Sequence, residues 1–143
     1  MSKIRVVHYI NQFFAGVGGE EQAHIAPELR KELPPISTQL QGKLGEDFEV
    51  VATVVCGDSY FNENLESVQK ELLEMIKGCD PQLFIAGPAF NAGRYGVAAG
   101  TITKAVQDEL HIPAVTAMYE ENPGTDMFRK DVYILETSDS AAG

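Results

Sequence analysis

The sequence Gly87-Pro-Ala-Phe-Asn-Ala-Gly-Arg-Tyr-Gly96 decides the fold because of what stands on either side of it. An apolar run at residues 81–86 precedes it, and a run with helical character at residues 97–110 follows it. A short buried strand, a glycine-rich turn and a helix form the unit with which α/β proteins place a ligand at a helix N-terminus. Three glycines in ten residues allow the backbone to turn sharply and to approach a bound group closely.

The polar residues of this stretch indicate a binding role. Asn91, Arg94 and Tyr95 offer polar contacts that a turn does not need for folding alone. The glycine spacing matches neither the Walker phosphate loop nor G-x-G-x-x-G, so no nucleotide motif is present. The alternative interpretation is a tight strand-to-helix connection whose side chains face solvent.

Strands and helices alternate along the rest of the chain. β-Branched and apolar runs predict strands at residues 4–10, 48–55, 82–86, 113–118 and 132–135. A short helix is predicted near residues 38–44, and helical spacing of apolar residues predicts a second helix that begins near Leu65. Residues 22–36 contain three prolines and are interpreted as a long loop. The pattern predicts one α/β domain over residues 1–143, a three-layer sandwich with a mainly parallel sheet of about five strands, flavodoxin-like or Rossmann-like.

In such sheets ligands bind beyond the carboxyl ends of the strands. This rule places four segments, residues 11–21, 56–61, 87–96 and 119–128, on one edge, which we call the rim. Eight of the 12 aromatic residues fall in these segments: Phe13, Phe14, Tyr60, Phe61, Phe90, Tyr95, Tyr119 and Phe128.

The rim composition suits a zwitterionic amino acid. Aromatic faces attract ammonium groups with ~0.5–2 kcal/mol each. The acidic pairs Glu20-Glu21 and Glu120-Glu121 would attract the amine, while Arg94 would bind the carboxylate. The alternative is that the aromatic rings pack the loops and the glutamates face solvent.

The two cysteines are predicted to lie at opposite ends of the sheet. Cys56 follows a strand and is the more exposed candidate, but no histidine follows it on the rim to activate it. Cys79 follows a helix and is interpreted as a small buried residue. No cluster of ligating residues has the spacing of a zinc site, so no metal is expected.

Composition narrows the function classes. The chain has 143 residues with a net charge of −10, which disfavours nucleic acids and anionic membrane surfaces. No apolar stretch approaches the ~20 residues that span a bilayer, and no signal peptide is recognised. Two cysteines without a secretion signal suggest a cytoplasmic, reducing location.

The last residues suggest an incomplete domain. Residues 137–140 form a helix-capping sequence that is followed by only three residues. We therefore expect the N-terminal domain of a longer chain, with an apolar sheet face left uncovered and a tendency to form homo-oligomers.

Three long motifs together resemble one family. They are Val6-Val-His-Tyr-Ile-Asn-Gln-Phe-Phe-Ala-Gly-Val-Gly-Gly-Glu-Glu21, Gly87-Pro-Ala-Phe-Asn-Ala-Gly-Arg-Tyr-Gly96 and Met118-Tyr-Glu-Glu-Asn-Pro-Gly124. The chain resembles the selenoprotein component B of glycine, sarcosine and betaine reductases along nearly its whole length. The resemblance implies an anaerobic reductive deamination. A pyruvoyl group on a partner subunit helps component B to bind the substrate, selenoprotein A receives the carbon fragment, and component C releases acetyl phosphate.

The chain departs from this family in length. The family's selenocysteine lies well downstream of anything present here, no cysteine of this chain corresponds to it, and the catalytic residues remain unassigned. The chain by itself is therefore expected to be inactive and to carry no cofactor. The expected substrate-binding residues are Asn11, Gly18, Gly19, Glu20, Glu21, Cys56, Asn91, Gly93, Arg94, Tyr95, Tyr119, Glu120, Glu121 and Asn122.

Two other functions stay open at this point. One is a module that binds flavin or phosphate on the same rim, and the other is a domain that only docks other subunits. The sequence does not discriminate among glycine, sarcosine and betaine as substrates.

Overall fold

A central sheet of six strands organises the computed structural model, which describes residues 3–18, 22–90 and 92–137. The strands are β1 (Ile4–Asn11), β2 (Glu28–Arg30), β3 (Phe48–Cys56), β4 (Leu83–Ala86), β5 (Ala114–Tyr119) and β6 (Tyr133–Thr137). Their order is β2-β3-β1-β4-β5-β6, and every pair is parallel except β2 with β3. The predicted α/β class and mainly parallel sheet are confirmed.

Five α-helices accompany the sheet in the described part of the chain. They are α1 (Pro35–Leu44), α2 (Asp58–Glu63), α3 (Leu65–Gly78), α4 (Gly93–Ala105) and α5 (Pro123–Phe128). A π-helical turn, Val106–Leu110, extends α4. None of the helices in the described ranges combines the length and apolar character required of a membrane span.

The central strand β1 shows how the layers are arranged. Its last six residues are all buried, because β1 pairs with β3 on one side and with β4 on the other. The Tyr9 ring packs against Phe61 of α2 at 6.2 Å and against Tyr95 of α4 at 6.3 Å. His8 points to the opposite face, where its ring bonds to Ser37 of α1. The sheet therefore lies between two helical layers.

Helix α3 follows the predicted apolar spacing. Val68, Leu72 and Ile76 have no exposed surface, and burying each such side chain stabilises the fold by about 1.5–3 kcal/mol. Leu65, at the start of the stripe, is instead 42% exposed. Asn64 precedes the helix, but its side chain donates to the Tyr60 carbonyl and makes no capping bond to α3.

The structure corrects the interpretation of residues 22–36 as a loop. This segment contains β2, a three-residue antiparallel edge strand. The Arg30 guanidinium holds it in place by donating to the Ala15 carbonyl at 3.1 Å. Helix α1 also begins at Pro35, earlier than predicted, because proline is tolerated in the first helical turn, where its missing N–H is not needed.

Without β2, the five parallel strands have the order β3-β1-β4-β5-β6. This is the order of flavodoxin-like, doubly wound sheets, in which the chain moves to one side of the first strand and then to the other. The change of direction occurs between β1 and β4. A crevice beyond the carboxyl ends of these two strands is therefore the expected ligand position.

Candidate functional site at the carboxyl edge of the sheet

The turn after β4 begins at a residue that must be glycine. Gly87 has φ of +100°, and a Cβ at this position would lie 2.8 Å from the Ala117 carbonyl oxygen. The Gly87 N–H donates to the Tyr9 carbonyl at 2.9 Å. These contacts fasten the start of the turn to the neighbouring strands β1 and β5.

A buried hydrogen-bond chain holds the other side of Gly87. His8 Nε2 lies 2.6 Å from the Gly87 carbonyl oxygen, and His8 Nδ1 lies 2.7 Å from Ser37 Oγ. Because a carbonyl only accepts, Nε2 carries the proton, so Nδ1 accepts from the Ser37 hydroxyl and Ser37 accepts from Thr53 at 2.7 Å. Burial lowers the pKa of His8 to about 4, so the ring stays neutral at pH 7.

Asn122 joins the turn after β5 to the turn after β4. Its side-chain amide donates to the carbonyls of Phe90 at 2.9 Å and Ala92 at 3.0 Å, and its Oδ1 accepts from Gly124 N–H at 2.9 Å. The side chain packs directly on Gly96, which leaves no room for a Cβ there. Asn122 was predicted to bind substrate, but the structure gives it a buried position between two loops.

Polar side chains from three elements converge beside the crevice. Asn11 Nδ2 donates to Asp58 Oδ2 at 2.9 Å, and the Asp58 backbone N–H donates to Gln12 Oε1 at 3.2 Å. Arg94, on the first turn of α4, donates from Nη1 to Ser59 Oγ at 3.0 Å. We call Asn11, Gln12, Asp58, Ser59 and Arg94 the rim cluster.

Asn11 and Arg94 were among the predicted binding residues, whereas Gln12, Asp58 and Ser59 were not. Sequence position could have identified Asp58 and Ser59, because they directly follow Gly57, the residue after β3. A polar stretch at a strand's carboxyl end is a site candidate even without a recognised motif. Asp58 is only 8% exposed, so its carboxylate exerts its field in a weakly screened environment.

Three phenylalanines from the turns after β1 and β4 pack together. The Phe14 ring lies 5.9 Å from Phe90 and 6.0 Å from Tyr95, and Phe13 packs edge-on against Phe14 at 5.2 Å. Phe13 is 60% exposed and covers the outside. We call Phe13, Phe14 and Phe90 the aromatic cluster.

Other aromatic residues predicted on the rim lie inside the protein. Phe61 and Tyr95 have no exposed surface and belong to the core. Phe128 packs on Gly100 in the middle of α4 and so lies away from the rim. The prediction that Phe128 lies on the rim was wrong, because α5 turns the chain back along α4 before Phe128 is reached.

Cys56 is not the exposed thiol that the sequence suggested. Its side chain points into the core with no exposed surface, whereas Cys79 is 9% exposed. Burial, together with the nearby negative charge of Asp58, raises the pKa of the Cys56 thiol to about 12. The thiol therefore stays protonated at neutral pH and is a poor nucleophile. Cys79 lies at the opposite end of the sheet, where Arg5 donates to its carbonyl.

The remaining predicted residues differ in how far they are exposed. Tyr119 is half-buried and its N–H donates to the Phe90 carbonyl at 2.7 Å. Glu120 and Glu121 are exposed, and Gly18 and Gly93 are half-buried. Gly19, Glu20, Glu21 and Asn91 lie outside the described residues, so the acidic pair Glu20-Glu21 stays a prediction.

A doubly wound sheet with a polar cluster and a glycine turn at its switch point is typical of a domain that binds small ligands. The chain belongs to the glycine/sarcosine/betaine reductase selenoprotein B family, whose sequence model matches residues 3–143.

Several curated relatives align over nearly the whole chain. The glycine reductase complex component B subunit gamma of Peptoclostridium litorale is 73% identical over 143 residues, which is 100% of this chain and 33% of the relative. The sarcosine reductase complex component B subunit beta of Peptoclostridium acidaminophilum is 62% identical over 142 residues, 99% of this chain and 33% of the relative.

A more distant relative is named for a third substrate. The betaine reductase complex component B subunit beta of Peptoclostridium acidaminophilum is 40% identical over 131 residues, 92% of this chain and 30% of the relative. The chain thus spans about a third of the length of the curated relatives it matches, and it corresponds to their N-terminal region. No solved structure gives a significant match.

Proposed function

We propose that this chain is the N-terminal α/β domain of a substrate-specific component B subunit of a glycine-type reductase, and that its rim binds the amino-acid substrate. The family match over residues 3–143 carries this proposal. The relatives are named as components of reductase complexes, which supports an oxidoreductase role within a larger assembly.

The rim cluster offers groups of both signs to a zwitterion. Arg94 is exposed and stands on the first turn of α4, where the helix dipole adds partial positive charge. We propose that the substrate carboxylate binds Arg94, since guanidinium groups bind carboxylates in bidentate geometry. Asp58 and the exposed Glu120 and Glu121 supply the negative charge that attracts the amine.

The reduction itself needs groups outside this chain. The family resemblance implies a selenocysteine further along the subunit and a pyruvoyl group on a partner subunit, which together supply the redox and amine-binding chemistry. The thiols of this chain do not fit that role, because Cys56 is buried with a pKa of about 12 and Cys79 lies at the far end of the sheet. The chain alone is therefore proposed to be inactive. Selenoprotein A and component C are the proposed further partners.

The proposed substrate is a glycine-type amine. Relatives named for glycine and sarcosine are 73% and 62% identical, while the one named for betaine is 40% identical. We therefore favour glycine or sarcosine over betaine. The flavin alternative has less support, because the sequence contains no nucleotide or phosphate-loop motif.

Steady-state kinetics of the full-length subunit with its partner components test the proposal. Arg94→Ala removes the guanidinium that we assign to the carboxylate, so KM for glycine or sarcosine should rise about 10- to 100-fold, in keeping with a charge-assisted hydrogen bond. Arg129→Ala is the matched control, since Arg129 is also exposed and its partner among the described residues is Asp126, three positions earlier.

Arg129→Ala should leave KM within about twofold of wild type, as expected for a surface ion pair of low energy. Unchanged KM for glycine, sarcosine and betaine in Arg94→Ala would remove Arg94 from the substrate site.

A further inference from the structure

One face of the sheet is apolar but poorly covered at β4, β5 and β6. On these strands, alternate residues point to the face that α2–α5 cover; those of β4 and β5 are buried, and Ile134 of β6 is half-buried. The residues between them point to the face of α1. Those residues are half-buried or exposed although they are apolar: Leu83, Ile85, Val115, Ala117, Tyr133 and Leu135.

The degree of exposure increases toward β6. Ile85 and Val115 are half-buried, while Leu135 is 47% exposed and Tyr133 is 65% exposed. Helix α1 covers only the side of the sheet near β1 and β3, where Ser37 bonds to His8 and Thr53. A groove of about 410 Å³ remains between α1 and the outer strands.

The lining of this groove is suited to a helix. Leu40 and Leu44 of α1 form one wall, and Ile85, Val115 and Leu135 form the floor. Strands of a parallel sheet that are apolar on both sides are normally covered by helices on both sides. Exposed apolar patches of this kind mark surfaces that bind protein.

Chain topology explains why the groove is open. The connections β3–β4, β4–β5 and β5–β6 all move in one direction along the sheet, and right-handed crossovers then place α2–α5 on a single face. The connection from β1 to β3 runs the other way and places only α1 on the second face. Crossover helices of the described residues therefore cannot cover β4–β6 on that face.

We propose that in the full-length subunit an amphipathic helix, from the polypeptide that follows the matched N-terminal third, packs into this groove beside α1. Two observations select this occupant. The relatives continue for about twice the length of this chain beyond it. Thr137, the last residue of β6, lines the groove, so the polypeptide that follows β6 starts beside the groove.

The dimensions of the groove set the expected length of the helix. Strands of five or six residues are about 17–20 Å long, which equals about 11–13 residues of α-helix. The helix would present an apolar stripe with spacing i, i+3, i+4 and i+7 to the sheet. Lys43 at the groove edge favours an acidic residue on its flank.

Thiol labelling of the full-length subunit tests this packing. In Leu135→Cys the new thiol lies in the groove, whereas in Met127→Cys it lies on α5, where Met127 is 57% exposed. Maleimide modification, read by mass spectrometry of the peptide that carries each position, should be at least tenfold slower at position 135 than at position 127. Equal labelling rates at the two positions would overturn the proposal.

Dilution identifies the occupant. Protection of position 135 that persists in the purified subunit at low concentration supports a helix from the same chain. Protection that disappears on dilution would mean a second copy, and protection that requires the other components would mean a partner subunit; either result overturns the proposal.

A photo-crosslinking residue at position 135 gives a second measurement on the folded subunit. It should join to a peptide of the same chain from beyond the matched third, and crosslinking only to a separate chain would contradict the proposal. The inference rests on family membership and on the sheet, so a negative result for Arg94 leaves it unaffected.

Discussion

His8 shows how much a single buried side chain contributes to the rim. It lies inside β1 yet controls the turn after β4, because its ring connects Ser37 of α1 to the Gly87 carbonyl. The ring is neutral in the folded protein, since burial lowers its pKa to about 4. Protonation of Nδ1 would remove the acceptor of the hydrogen bond from Ser37, and it would place a charge in the core.

His8 should make the stability of the chain depend on pH. Its folded pKa of about 4 is below the ordinary value of 6.5, so its contribution is fully present above pH 6.5 and is lost as pH falls toward 4. Between pH 7 and pH 5 the free energy of unfolding should fall by about 2 kcal/mol from this group alone. Urea unfolding at the two pH values measures the change.

Two variants isolate the histidine. His8→Leu should remove this part of the pH dependence, while His111→Asn, at an exposed position with φ of 56°, should retain it. An equal pH dependence in wild type and His8→Leu would show that His8 does not titrate as described.

Individual residues of the rim cluster were predictable only where sequence position alone placed them on the rim. Asn11 and Arg94 were placed correctly because each stands at the end of a strand or at the start of a helix. Cys56 and Asn122 occupy similar positions, but their side chains point inward. Side-chain direction at a strand end depends on the register with neighbouring strands, which the sequence of one strand does not contain.

Elements were predictable when they were long and periodic. Helix α3 has an apolar stripe over 14 residues, and β1 and β3 are rich in β-branched residues. The missed elements, β2, α2 and α5, have three, six and six residues. Their pairing depends on contacts with distant parts of the chain, such as Arg30 with the Ala15 carbonyl, rather than on local propensity.

Asn122 should contribute strongly to stability because it connects two elements. Asn122→Ala removes bonds to Phe90, Ala92 and Gly124 at a fully buried position. We expect a loss of about 2–4 kcal/mol, from unsatisfied carbonyls and from the cavity. Urea unfolding measures the loss directly.

Asn64→Ala serves as its control. Asn64 is exposed, and among the described residues its side-chain amide donates to the Tyr60 carbonyl, so the cost should be below about 1 kcal/mol. Equal losses in the two variants would mean that the bonds of Asn122 do not hold the rim loops together.

At the scale of the whole molecule, strand and helix alternation was sufficient to predict the α/β sandwich and its parallel strands. It did not reveal the antiparallel edge strand or how unequally the two faces are covered. How many helices cover each face depends on the direction of the crossovers, and this direction can be known only from the strand order.

The uncovered face should also cause the 143-residue chain to associate when it is made by itself. Leu135→Glu places a charge on the apolar face and should lower the association measured by sedimentation velocity over a range of concentrations. Met127→Glu, at an exposed position on α5, should leave association unchanged. Similar sedimentation of Leu135→Glu and wild type would show that this face is not the contact.

The two edges of the sheet differ in a way that limits how molecules can join by strand pairing. One edge is formed by β2, which is three residues long and antiparallel, and Glu28 and Arg30 form an ion pair along it. Among the described strands the other edge is β6, which presents five residues of backbone. Two molecules that met at β6 would form a continuous sheet with a short, charged β2 at each outer end. Growth would stop at two, so this architecture resists fibril formation even while one edge is open.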